Sequence, residues 1–165
     1  MNKKGFTLIE LLAVIVVLGV VLLLAMPSIL DSINASRDSS YKILIGNIKT
    51  AAETYYQECE YGDLSDKNKY GDYACKIDGN TITTTIRALA NTGILKVSAD
   101  DSGKLNVTDP RDNKKKLNDC EITITKEKKD ITDNNGITSS KVMYEVKGST
   151  QEGCPTDEDL QWGSD

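Results

Sequence analysis

Glu10 is a carboxylate at the head of an apolar run, and its partner is the first chemical question this chain poses. It follows Lys3-Lys4-Gly5-Phe6-Thr7-Leu8-Ile9, and no charge follows it from Leu11 to Leu30. In lipid an unpartnered carboxylate near a helix end costs on the order of 2–3 kcal/mol. Something must neutralise it. Other candidates for chemistry are sparse. The chain has no histidine, so the commonest general base and zinc ligand is missing. No glycine-rich phosphate loop or nucleophile elbow is present, and Asp100-Asp101 sit in a Ser/Gly stretch that reads as solvated loop. No catalytic residue, metal-ligand set or cofactor site is predicted.

The element that must position Glu10 is long. Phe6 to Leu30 covers 25 residues, roughly 37 Å as a helix against a hydrocarbon core of about 30 Å. Lys3 and Lys4 precede it and Arg37 is the first basic residue after it, so the head of the chain stays in the cytoplasm and everything after Asp31 is translocated. A cleavable secretory signal has a shorter apolar core and a small-residue cleavage site; Leu22-Leu23-Leu24-Ala25-Met26-Pro27 offers none. A plain transmembrane anchor has no use for Glu10. Gly19 allows close helix approach. Pro27 withholds a backbone N–H and predicts a kink around Leu23.

Lys4-Gly5-Phe6-Thr7-Leu8-Ile9-Glu10-Leu11-Leu12 resembles the class III signal of type IV pilins and pseudopilins. The likeness is close over about the first 30 residues and extends beyond them only in layout. It implies cleavage by a prepilin peptidase between Gly5 and Phe6, N-methylation of Phe6, and packing of the exposed helix with other copies into a filament. The new amine on Phe6 would then meet Glu10 of a neighbouring subunit, each charge offsetting the other in an apolar surround and setting the register of an otherwise featureless helix. In the resembling pilins a proline at the place of Pro27 goes with local melting of the helix; a simple kink is the plainer alternative.

Beyond Pro27 the pattern becomes amphipathic. Leu30, Ile33, Tyr41, Leu44, Ile48, Ala52 and Tyr55 form a stripe of helical period, blemished only by Arg37. One helix from Phe6 to Glu58, about 80 Å if continuous, is expected to have a bare first half and a second half packed on a head. In the head, Ile82 to Ala90 reads as a short helix stopped by Asn91-Thr92-Gly93. Ile94–Val97 and Leu105–Val107 read as short strands, and Glu121–Thr125 and Lys141–Val146 as alternating ones. Asp109-Pro110-Arg111-Asp112-Asn113 and Asn135-Gly136 mark turns, the second too far from its flanking strands for a tight hairpin. The expected fold is α+β and pilin-like, a long N-terminal helix with a small antiparallel sheet. Its parts are a cleaved leader (1–5), a transmembrane and filament-core half-helix (6–30), an amphipathic half-helix (31–58) and a globular head (59–165).

Cys59, Cys75, Cys120 and Cys154 all lie in the head with no C-x-x-C pair. An even count in a small translocated domain points to disulfides. Three pairings are possible. The preferred one joins Cys59 to Cys75 and Cys120 to Cys154, the latter resembling the C-terminal disulfide loop of many pilins. Net charge is −5, and −7 without Lys3 and Lys4. Lys114-Lys115-Lys116 and Lys126, Lys128, Lys129 are basic runs on an acidic background with one Trp and one Phe, which reads as solvated surface and not as a nucleic-acid site. Asn34-Ala35-Ser36 and Asn106-Val107-Thr108 match the glycosylation pattern, a frequent chance match.

The resemblance therefore implies a type IV pilus subunit for adhesion, motility or other surface interaction. It would sit as a single-pass protein in the cytoplasmic membrane with its head outside, then in a surface pilus. The implied partners are other copies of the chain, the prepilin peptidase, and an assembly platform with its ATPases. The alternatives are a pseudopilin of a type II secretion or competence system, and a membrane-tethered surface domain that never polymerises. The acidic Cys154-Pro155-Thr156-Asp157-Glu158-Asp159 segment matches no calcium-loop spacing.

Overall fold

The computed structural model describes residues 7–62, 64–132 and 136–161, without the side chains of Leu24 and Ala25. By its internal contacts the chain divides into two units, Met1–Ser39 and Ser40–Asp165. Helix α1 (Leu8–Glu60) runs through both. Its direction breaks between Leu23 and Met26, where Pro27 leaves the Leu23 carbonyl without its donor. Every described side chain from Thr7 to Ser40 is exposed.

In the second unit α1 changes character. Tyr41, Ile45, Ile48, Ala51, Ala52, Tyr55, Tyr56 and Cys59 are buried. Leu30 and Ile33, expected on the same stripe, lie in the first unit and are exposed. The sheet beneath this face has the order β1-β4-β5, all antiparallel: β1 (Thr81–Thr85), β4 (Glu121–Thr132) and β5 (Thr138–Lys147). Ile82, Ile122, Ile124 and Val146 fill its helix-facing side, with Ile86, Leu89, Leu117 and Leu160 closing the core. A separate hairpin joins β2 (Thr108–Asp109) to β3 (Asp112–Lys116). Among the described residues three short α-helices, α2 (Lys67–Tyr70), α3 (Ile86–Asn91) and α4 (Asp157–Gln161), and a 3-10 turn at Gly71–Tyr73 complete the fold.

The architecture is α+β, as expected, with two antiparallel sheets instead of one. Several local expectations are corrected. The stretch Ile82 to Ala90 is not one helix: Thr81–Thr85 is strand, and α3 starts at Ile86 with Thr85 as its cap, whose hydroxyl accepts from the Ala88 N–H at 3.3 Å. Ile82 and Ile86 are both buried, and a spacing of four places residues on one face of a strand as well as of a helix. Gly93, with φ +80°, ends α3 as foreseen. Ile94–Val97 and Leu105–Val107 are not strands: the Leu95 N–H donates to the Leu89 carbonyl at 2.8 Å, Leu105 makes an isolated antiparallel bridge with Ala99, and the Val107 N–H donates to the Asn118 side chain at 2.7 Å. Lys114–Lys116 lies in β3. Strands β4 and β5 run well past their alternating apolar segments, since Glu127–Thr132 and Thr138–Val142 pair through their backbones while exposed on both faces. A ribbon of that kind carries no hydrophobic period.

Candidate functional site

The head of α1 is a reciprocal cap. Thr7 precedes the first helical residue; the Glu10 Oε2 atom accepts from the Thr7 N–H at 2.9 Å and from the Thr7 hydroxyl at 2.8 Å. The Glu10 N–H in turn donates to the Thr7 hydroxyl oxygen at 3.4 Å. This is the Thr-x-x-Glu capping box, which satisfies two helix-start donors at once. The sequence reading found Glu10 but missed Thr7 as its nearest partner, although the three-residue spacing is the signature of the box. Among the described residues Glu10 Oε1 makes no hydrogen bond. The carboxylate is thus held at the helix start through Oε2. Gly5 and Phe6, expected at the cleavage point, lie outside the described residues.

The rest of the apolar face is uncovered. Leu8 to Leu23 and Met26 to Leu30 project an apolar surface on all sides, with Leu8 81% exposed and Leu23 72%. An apolar surface this large on one chain marks an interaction site. A methyl group added at Gly19 would meet nothing within 4 Å, so nothing packed against it in the isolated chain calls for a glycine there. Among the described residues no single helix is long and apolar enough to cross a membrane; the pair Leu8–Leu23 and Met26–Glu60 passes by length and composition, as one bent element.

In the second unit the cysteines pair as Cys59–Cys75 and Cys120–Cys154. The first ties the end of α1 to the segment after α2. The second ties the root of β4 to the loop before α4, and Gly148 makes that loop possible: a Cβ there would stand 2.2 Å from the Pro155 carbonyl oxygen. The turn at Asp109 holds a polar cluster that the sequence reading saw only as a turn. Asp109 is buried and accepts two bonds from the Arg111 guanidinium, at 3.1 and 2.9 Å, and one from the Arg111 N–H at 2.9 Å. Burial pulls its carboxyl upward, but the Arg111 bonds outweigh this and hold it below the ordinary range. Arg111 lies over the Tyr41 ring. Burial, reinforced by Asp159, pushes the Tyr41 hydroxyl up to about 12. The cluster locks the β2–β3 turn and α4 onto the helix.

The first 26 residues match the family model of the prokaryotic N-terminal methylation motif. The chain carries a type IV pilin signal. Over 102 residues, 61% of the chain, the sequence is 29% identical to "Fimbrial protein EcpC" of Eikenella corrodens, and the match spans 65% of that protein's length, just under two thirds. No solved structure matches the chain. Motif and fimbrial relative together support a type IV pilin-like surface subunit.

Proposed function

We propose that this chain is the structural subunit of a type IV pilus, cut between Gly5 and Phe6, methylated on the Phe6 amine and polymerised through its N-terminal helix. The observation that carries the reading is the pilin signal standing directly before a half-helix whose described side chains are all exposed. In this scheme residues 1–5 are the leader and 6–30 rest in the cytoplasmic membrane and later in the filament core. Residues 31–58 carry the helix onto the head, 59–165. Gly19 admits close approach of neighbouring helices, and the break before Pro27 lets the helix adjust between lipid and filament.

The capping box fits the proposed recruitment chemistry. After cleavage the Phe6 amine would lie one residue before Thr7, while the Glu10 carboxylate accepts the amine of a second copy. The chain acts as a building part and not as an enzyme; any force on the filament comes from the assembly platform and its ATPases. Mass spectrometry of material sheared from the surface of the native cell tests this reading. An abundant species starting at methylated Phe6 is expected. Processed chain confined to the membrane at low abundance would favour a pseudopilin, and an intact Met1–Gly5 leader would favour a tethered domain.

A further inference from the structure

Strand β5 pairs with β4 along one edge, and among the described residues no strand lies on its other edge. Long open edges are templates for another chain unless a proline, a bulge or a covering element blunts them. No proline or register shift interrupts Thr138–Lys147. Helix α4 reaches its C-terminal end, where the Gly148 N–H donates to Asp157 at 2.8 Å and Leu160 is buried. The stretch before that is open, with Val142 and Met143 40% and 43% exposed.

The charges on this edge are unbalanced. Lys141 stands directly opposite Lys129 of β4, and like charges facing each other across a ladder are destabilising. On the same face of β4 the nearest carboxylate, Glu127, is two register positions away, opposite Met143, while Asp130 stands on the other face, opposite and bonded to Ser140. Two residues on the other side of Met143 lies Glu145, which makes an exposed ion pair with Lys147 at 3.3 Å. Lys141, Met143 and Glu145 share one face of the strand.

The geometry points to this edge as a contact between two copies of the chain, β5 against β5, antiparallel about Met143. That register sets Lys141 opposite Glu145 of the second copy twice over, Val142 opposite its Tyr144, and Met143 opposite itself. Neighbouring registers lose the match: pairing about Val142 puts Lys141 against Met143, and pairing about Lys141 puts it against its own copy. The product is a continuous six-stranded sheet, with Lys141 relieved of Lys129 by a carboxylate on its open side. The contact is isologous, so it joins the heads of two subunits that are not successive members of one helical filament. It rests on the sheet and not on leader processing.

The experiment uses the full-length chain in mild detergent, which reads the contact whether or not filaments form. Under oxidising conditions Met143→Cys should cross-link into a dimer, because the two sulfurs meet across the axis. Lys129→Cys, a strand further out, should not, its copies being at least ~14 Å apart. Cross-linking by an amine-independent reagent then compares Lys141→Glu with the double variant Lys141→Glu/Glu145→Lys. The single variant should weaken dimerisation about tenfold and the charge swap should restore it. In the monomer a Glu at 141 would face Lys129 favourably, so its loss of pairing is not loss of the ribbon. Cysteine cross-linking at 143 no faster than at 129, or a double variant no better than the single one, overturns the assignment.

Discussion

The Arg111 guanidinium lies 3.2 Å from the centre of the Tyr41 ring while its nitrogens hold the buried Asp109 carboxylate. One planar cation thus serves an aromatic face on α1 and a carboxylate in the β2–β3 turn. Arg111→Ala would strand Asp109 in the interior, and a loss of roughly 2–3 kcal/mol is expected in denaturant unfolding of the chain. Arg111→Lys should recover little of it, since an ammonium can neither fork onto the carboxylate nor stack flat on the ring.

The same cluster predicts how stability depends on pH. Tyr41 faces Arg111, Asp109 and Asp159, and its hydroxyl is pushed up to about 12, against about 10 in the unfolded chain. The neutral phenol therefore stabilises the fold fully below pH 10, and that contribution is lost as pH rises toward 12. Asp109 is shifted the other way; its contribution is present above the unfolded value near 4 and lost as pH falls through the folded one. Thermal melts should decline at both ends, with Tyr41→Phe flattening the alkaline limb and Arg111→Ala the acid one. Unchanged limbs in those variants would contradict the cluster's role.

Gly148→Ala tests the C-terminal loop. The added methyl would lie 2.6 Å from the Thr156 carbonyl carbon as well as against Pro155, and backbone cannot yield as a flexible side chain does. A loss of about 1–3 kcal/mol is expected. Removing the Cys120–Cys154 bridge, which closes a separation of 34 residues, should take about 3–4 kcal/mol from the head. Hydrogen exchange should place both effects between β5 and α4.

At the helix head, two substitutions separate capping from charge. Glu10→Gln retains an oxygen that can accept the Thr7 bonds but not the negative charge; Glu10→Ala retains neither. If the carboxylate recruits the amine of another copy, both variants insert in the membrane and neither yields surface filaments. Filaments of normal abundance from Glu10→Gln would reduce Glu10 to a helix cap.

What the sequence determined by itself were the features written in local order. The pilin signal is a contiguous string. The buried positions from Tyr41 onward on α1 follow a 3.6-residue period, and Gly93 stops α3 at the place its type demands. Tertiary structure decided everything that depends on which strand lies beside which. Thr81–Thr85 became β1 because Glu121–Thr125 lay alongside to pair with it, a neighbour some forty residues away that no local period announces. The ribbon of β4 and β5 past Lys126 is held by backbone bonds, indifferent to side-chain type. Asp109 and Arg111 are near neighbours in the chain, but Tyr41 is remote from both and meets them only when the turn folds onto α1. Sequence position encodes the period of an element; contact between elements is settled by packing, where burial and charge pairing are felt.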